Sequence, residues 1–243
     1  MRQSAPLPSD DWALFLDVDG TLVEMAPTPR EVEVNADLPA LLGRLARRLG
    51  GSLALVSGRR IADLDHLFHP FRFPAAGIHG AERRDALGRL HFSGLTSADL
   101  EPARIELRRF VARHPAVLLE DKGLGLALHF RQAPELEAAA RDALERARVQ
   151  LPAEAHLQPG HCVIEIKGGS SSKRAAVEQF LQEPPFAGRV PVYAGDDLTD
   201  LDALAYVQSA GGHGVFVGAD PKPGHDWLPH PAAVREWLRS LDR

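Results

Sequence analysis

Apolar positions along the chain follow two patterns. Short, mostly apolar runs occur at 12–18 (WALFLDV, interrupted by Asp17), 52–56 (SLALV), 190–194 and 213–217, with amphipathic stretches between them. The first run ends in Asp-Gly, a turn signal, and is too short for a helix, so it reads as a buried strand. Residues 36–49 (ADLPALLGRLARRL) carry apolar residues at helical spacing and stop at Gly50-Gly51, which predicts a helix. Further helices are predicted over 60–68, 172–182, 199–206 and 231–241, a third strand over 74–78, and a hairpin over 82–92 turning at Leu87-Gly88. Strands alternating with helices imply a mostly parallel sheet with helices on both faces.

The pattern changes in the middle of the chain. A helix over 98–113 leads to strands over 116–120 and 124–130, joined at Asp121-Lys122-Gly123. A second helix over 134–149 leads to strands over 153–157 and 162–166, joined around Pro159-Gly160. This helix–strand–strand unit, occurring twice, predicts an antiparallel sheet with two helices on one face. It is too long for a loop. The expected class is therefore α/β: a Rossmann-like parallel-sheet core from residues 1–92 and 168–243, with an α/β domain of residues 93–167 inserted. Gly88, Gly94, Gly168 and Gly169 are hinge candidates in the two linkers, because glycine tolerates large dihedral changes. Residues 219–231 (ADPKPGHDWLPHP) predict a loop.

Composition narrows the function classes. Of 243 residues, 44% are hydrophobic and 25% charged, as in an ordinary globular protein. The net charge of −5 gives no global basic field, so neither nucleic acid nor a membrane surface is an expected partner. No apolar run approaches the roughly 20 residues a bilayer needs. The N-terminal MRQSAPLPSDD does not read as a signal peptide, and a cytoplasmic monomer is expected. Cys162 has no second cysteine to pair with and is expected as a small apolar residue in a strand.

Two acidic clusters carry candidate chemistry. Asp17-Val18-Asp19-Gly20-Thr21-Leu22 closes the first strand, and Gly195-Asp196-Asp197-Leu198-Thr199-Asp200 closes a later one. In a parallel sheet, sites collect at the carboxyl ends of strands, which brings both clusters to one edge. Carboxylates so gathered repel, and an all-oxygen set completed by water and phosphate suits Mg²⁺. Each cluster read alone also fits a turn or a helix cap. Ser57-Gly58-Arg59 follows the strand SLALV, where a hydroxyl and free N–H groups can hold phosphate oxygens. Lys173 stands at a helix start, unfavourable for the helix dipole, which suggests an anionic partner. The surrounding GGSSSK lacks the glycine spacing of a Walker A loop.

DVDGT, a Ser after the second strand, a distal Lys and GDDLTD, in that order, resemble the haloacid dehalogenase superfamily of phosphatases. The match extends further. LVSGR (55–59), FPAAGIHGAERRD (73–85), LEDKGLGLALHFR (119–131), QPGHCVIEIKGG (158–169) and AGDDLTD (194–200) resemble the trehalose-phosphatase family over roughly residues 12–217. His161 stands where that pattern has Lys, and Arg174 where it has Gly. The resemblance implies a HAD-like core with a C2-type inserted cap. It also implies Mg²⁺-dependent hydrolysis of trehalose 6-phosphate through an aspartyl-phosphate, the last step of trehalose biosynthesis. Asp17 would be the nucleophile and Asp19 the general acid and base. The metal would lie on Asp17, the Asp19 carbonyl and Asp196. Ser57, Gly58 and Lys173 would hold the phosphate. Arg59, His79, Gly80, Glu120, Lys122 and Glu165 would bind the sugar, with Thr21, Asp197 and Asp200 supporting. His129 and Arg131 read as structural or rim residues. A related phosphatase acting on sucrose 6-phosphate or a hexose phosphate, and a phospho-aspartate signalling module, are the competing readings.

Overall fold

The computed structural model describes residues 5–7, 9–26, 28, 31–169 and 171–242. Parts of the N-terminal segment and Ser170 of the serine-rich loop thus lie outside the described residues. The chain divides into two compact units, Phe92–Ser171 and the remainder. In chain order the elements are β1 (Trp12–Leu16), α1 (Leu38–Arg48), β2 (Leu53–Val56), α2 (Ile61–Leu67), β3 (Ala75–Gly77), β4 (Glu82–Arg84) and β5 (Leu90–Phe92). Then come α3 (Glu101–Arg113), β6 (Leu118–Asp121), β7 (Leu126–His129), α4 (Glu137–Arg148), β8 (His156–Gly160) and β9 (Val163–Lys167). The chain closes with α5 (Lys173–Leu181), β10 (Val190–Gly195), α6 (Leu201–Ser209), β11 (His213–Val217), β12 (Asp226–Leu228) and α7 (Pro231–Leu241).

The larger unit is built on a sheet of order β12-β11-β10-β1-β2-β3-β4-β5. The six strands from β12 to β3 run parallel, and β4 turns back antiparallel to β3. Alternation along β1 explains why WALFL is apolar throughout. Trp12, Leu14 and Leu16 face a core made with Leu38, Leu41, Leu42 and Leu45 of α1 and Val234 and Leu238 of α7. Ala13 and Phe15 face the opposite core, made with Val177 and Phe180 of α5 and Leu204 of α6. The sheet grows outward from β1 to β3 on one side and from β10 to β12 on the other. The strand order therefore reverses between β1 and β10, the position at which open parallel sheets bind ligands beyond the carboxyl ends of their strands.

The smaller unit is an antiparallel sheet of order β6-β7-β9-β8. Leu126, Leu128, Ile164 and Ile166 meet Leu107 and Phe110 of α3 and Ala143 and Leu144 of α4 in a core of their own. Three expectations need correction. The β8–β9 turn falls at His161-Cys162, and Pro159 and Gly160 pair with Ile164 and Val163 inside the ladder. Proline is tolerated there because β8 is an edge strand. Cys162 accordingly sits half-buried in the turn at φ 58°, outside the strand. The segment 219–231 also contains β12, parallel to β11.

Candidate active site

β1 and β10 deliver the acidic clusters to the switch point. Asp17 follows Leu16 directly, and Asp196 follows Gly195. Immediately after Asp17 the chain folds into a tight loop, with the N–H of Leu22 donating to the carbonyl of Val18 at 2.9 Å. Gly20 lies in that loop at φ +81°, and a Cβ there would meet the Asp196 carboxylate oxygen at 2.1 Å. Only glycine satisfies both conditions. The Thr21 hydroxyl is buried 3.3 Å from Asp17 Oδ2 and 3.1 Å from Asp196 Oδ1, in reach to donate to either.

Lys173 links the two clusters. Ser172 caps α5, its hydroxyl accepting from the Ala175 N–H at 3.0 Å, which makes Lys173 the first helical residue. Its Nζ is buried and donates to Asp17 Oδ1 at 2.8 Å and to Asp200 Oδ1 at 2.7 Å. Burial disfavours the ammonium, but Asp17 and Asp200 more than offset that and hold the lysine pKa above its usual value. Asp200 has two further donors: its other oxygen accepts the Asp197 N–H at 3.0 Å, and the Tyr193 hydroxyl donates to Oδ1. Asp197 caps the short 3-10 turn Leu198–Asp200, which delays α6 to Leu201, later than the sequence predicts.

Burial pushes the Asp17 carboxyl well above the usual carboxylate range; Lys173 opposes the rise, while Asp200 and Asp196 add to it. Burial and the charge of Asp200 likewise push Asp196 up to about 6. Oxygen atoms of Asp17, Asp196 and Asp200 lie within 4.8 Å of one another. An all-carboxylate set, in which burial raises the proton affinity of Asp17 and Asp196, fits a hard divalent cation.

The loop after β2 supplies the next group. Ser57 is buried, its hydroxyl accepting the Arg59 N–H at 3.1 Å and its carbonyl accepting the His79 N–H at 3.0 Å. Gly58 packs so closely on His79 that a Cβ would sit 2.7 Å from the ring nitrogen Nε2. Ile78 and His79 are both left-handed, at φ 48° and 51°, followed by Gly80 at φ 97°. Such backbone costs on the order of 1 kcal/mol or more per non-glycine residue and collects at functional loops. Arg59 grips Asp19 with two hydrogen bonds of 2.7 Å, from Nε and Nη2. Asp17, Asp19, Thr21, Ser57, Gly58, Arg59, His79, Gly80, Lys173, Asp196, Asp197 and Asp200 thus all belong to loops or helix starts at the carboxyl ends of the sheet.

Glu120, Lys122 and Glu165 belong to the smaller unit and share the sheet face opposite its helices. Lys122 Nζ donates to Glu165 Oε2 at 3.0 Å, and His129 Nε2 lies 2.8 Å from Glu120 Oε2. Asp121 points the other way, to Arg104 of α3 at 2.6 Å. His161 stands in the β8–β9 turn, and the Arg174 guanidinium packs 5.3 Å over the Tyr206 ring. Tyr193 is the site residue the sequence did not expose. It sits in an apolar strand, and its hydroxyl gave no signal beyond its place three residues before Asp196.

The trehalose-phosphatase family model matches residues 15–226. The chain belongs to the trehalose-phosphatase family. It is 42% identical over 236 residues to the trehalose-6-phosphate phosphatase of Escherichia coli, covering 97% of this chain and 88% of that protein. It is 43% identical over 235 residues to a probable trehalose-phosphate phosphatase of Sinorhizobium fredii, covering 96% and 88%. Among solved structures, a trehalose-6-phosphate phosphatase related protein superposes with a TM-score of 0.79 at 23% identity, covering 94% of this chain and 96% of that one. The C-terminal domain of the Candida albicans trehalose-6-phosphate phosphatase gives 0.75 at 20% identity, covering 94% and 91%. These two likenesses concern the fold. Among the described residues, no helix is long and apolar enough to cross a membrane.

Proposed function

We propose that this chain hydrolyses trehalose 6-phosphate to trehalose and inorganic phosphate, acting at the last step of trehalose biosynthesis. The observation that carries the reading is the buried group of Asp17, Lys173, Asp196 and Asp200 at the switch point of a trehalose-phosphatase family member. A carboxylate oxygen of Asp17 attacks phosphorus, and the bond from phosphorus to the sugar oxygen breaks. Asp19 gives that oxygen its proton. Asp19 then takes a proton from water, whose oxygen attacks the aspartyl-phosphate; phosphate leaves and the Asp17 carboxylate is restored.

Ser57, Gly58 and Lys173 hold the transferring phosphoryl oxygens in this scheme, and Lys173 keeps its charge because Asp200 remains paired with it. Arg59 occupies Asp19 in the ligand-free chain. Turning the guanidinium to the incoming phosphate sugar, beside His79 and Gly80, releases Asp19 for proton transfer. Asp17, Asp196 and the Asp19 carbonyl would hold Mg²⁺, Asp200 being committed to Lys173, Tyr193 and Asp197. Bound there, the ion supplies positive charge that keeps Asp17 anionic and offsets the phosphate charge. Glu120, Lys122 and Glu165 are assigned to the sugar hydroxyls, for which charged donors and acceptors are suitable partners.

The test is phosphate release from trehalose 6-phosphate, sucrose 6-phosphate and glucose 6-phosphate, with Mg²⁺ and after chelation. The expected outcome is metal-dependent release with kcat/KM highest for trehalose 6-phosphate. Preference for sucrose 6-phosphate or glucose 6-phosphate would retain the phosphatase and overturn the substrate.

A further inference from the structure

His129 plays no part in the scheme above, yet its contacts give it one. The register across β6, β7, β9 and β8 sets Glu120, Ala127, Glu165 and Gln158 in a single row. Glu120 and Glu165 therefore stand two strand spacings apart, about 10 Å between backbones, over the methyl group of Ala127. Each carboxylate is held from one side by a basic partner on the same face. Lys122, two residues beyond Glu120, takes Glu165 at 3.0 Å. His129, two residues beyond Ala127, takes Glu120 at 2.8 Å. An ionised carboxylate can only accept, so this contact makes Nε2 of His129 the N–H donor. Burial raises the proton affinity of Glu120, but the His129 hydrogen bond and the Lys122 charge outweigh it, leaving a carboxylate below the usual pKa. Among the described residues, no hydrogen bond occupies the second Glu120 oxygen.

We propose that His129 is a positioning residue for sugar recognition: it pins one oxygen of Glu120 so that the other points over Ala127 toward a ligand hydroxyl. This rests on the assignment of Glu120 to the sugar. Without the histidine, Glu120 keeps its charge and loses its direction, and the cost falls on sugar binding alone.

The experiment measures kcat and KM for trehalose 6-phosphate, and kcat/KM for p-nitrophenyl phosphate, which has no sugar. The proteins are the native chain, His129→Leu, His129→Gln, Glu120→Ala and the double variant Glu120→Ala/His129→Leu, each with a melting curve. His129→Leu is expected to raise KM for trehalose 6-phosphate about tenfold, with kcat nearly unchanged and the p-nitrophenyl ester little affected. His129→Gln, whose amide N–H₂ can replace the Nε2 donor, is expected to recover most of the loss. In the Glu120→Ala background, His129→Leu is expected to add nothing, since both changes remove one interaction. The inference is overturned if His129→Leu depresses both esters equally, or adds its full effect without Glu120. If Glu120→Ala itself leaves KM for trehalose 6-phosphate unchanged, the sugar assignment fails first and this inference with it.

Discussion

Asp17, Asp196 and Asp200 share one small volume, where the charge of Asp200 raises the cost of ionising Asp17 and Asp196. Asp196 shows the consequence most simply. Its carboxyl titrates near 3.8 when unperturbed and about 6 in the folded chain. Between those values the folded state binds more protons than the unfolded state, so stability falls as pH rises, and the full cost is present above about 6. A divalent cation on the ionised cluster offsets this cost. Mg²⁺ is therefore expected to raise Tm by several degrees near pH 7.5, and by less near pH 5. Asp196→Asn is expected to raise the metal-free Tm near neutral pH and to remove most of the Mg²⁺-dependent rise; calorimetry at the two pH values checks both. A variant that melts lower than the native chain without metal would contradict it. Tyr193→Phe keeps the ring volume and removes one donor from Asp200, at an expected cost of about 1 kcal/mol in denaturant unfolding. The acids were legible in sequence because DVDGT and GDDLTD follow apolar strands. Tyr193 was not, because nothing in an apolar run says which hydroxyl meets a carboxylate seven residues on.

At the level of elements, α5 is where structure and chemistry meet. Its capping serine and its first residue, Lys173, occupy adjacent positions, so the cap that starts the helix also aims the lysine. Ser172→Ala is expected to cost about 1 kcal/mol, seen as a lower urea midpoint at unchanged m. An unchanged midpoint would show that the cap is replaced by water. Strands and helices with strong periodicity were readable before the structure: α1 from its leucines, β1 and β2 from unbroken runs buried on both faces. The β8–β9 turn was misplaced because Pro-Gly is usually a turn, and only the strand order reveals that β8 lies at an edge where proline costs no ladder bond. β12 was missed because DWL is three residues long, and its identity as a strand comes from its pairing with β11.

For the molecule as a whole, the two units have separate cores. Leu144 is fully buried in the smaller unit and Leu42 in the larger. Truncating either to alanine is expected to destabilise its own unit by about 2–5 kcal/mol. Hydrogen exchange should show the lost protection within Phe92–Ser171 for Leu144→Ala and outside it for Leu42→Ala. Equal loss across the chain for both variants would mean one cooperative unit. The parallel core and the antiparallel insertion were both legible in the alternation of runs and helices, whereas the pairing of Glu120 with His129 required the strand register. In the proposed chemistry, trehalose 6-phosphate turns over through a covalent bond to Asp17. It is decided by the trehalose 6-phosphate hydrolysis rate of Asp17→Asn beside the native chain, at saturating Mg²⁺. A fall of about 10⁴-fold or more is expected with the fold intact, because the nucleophile is gone while Lys173 and Asp200 remain. A variant that keeps a tenth of the native rate would contradict it.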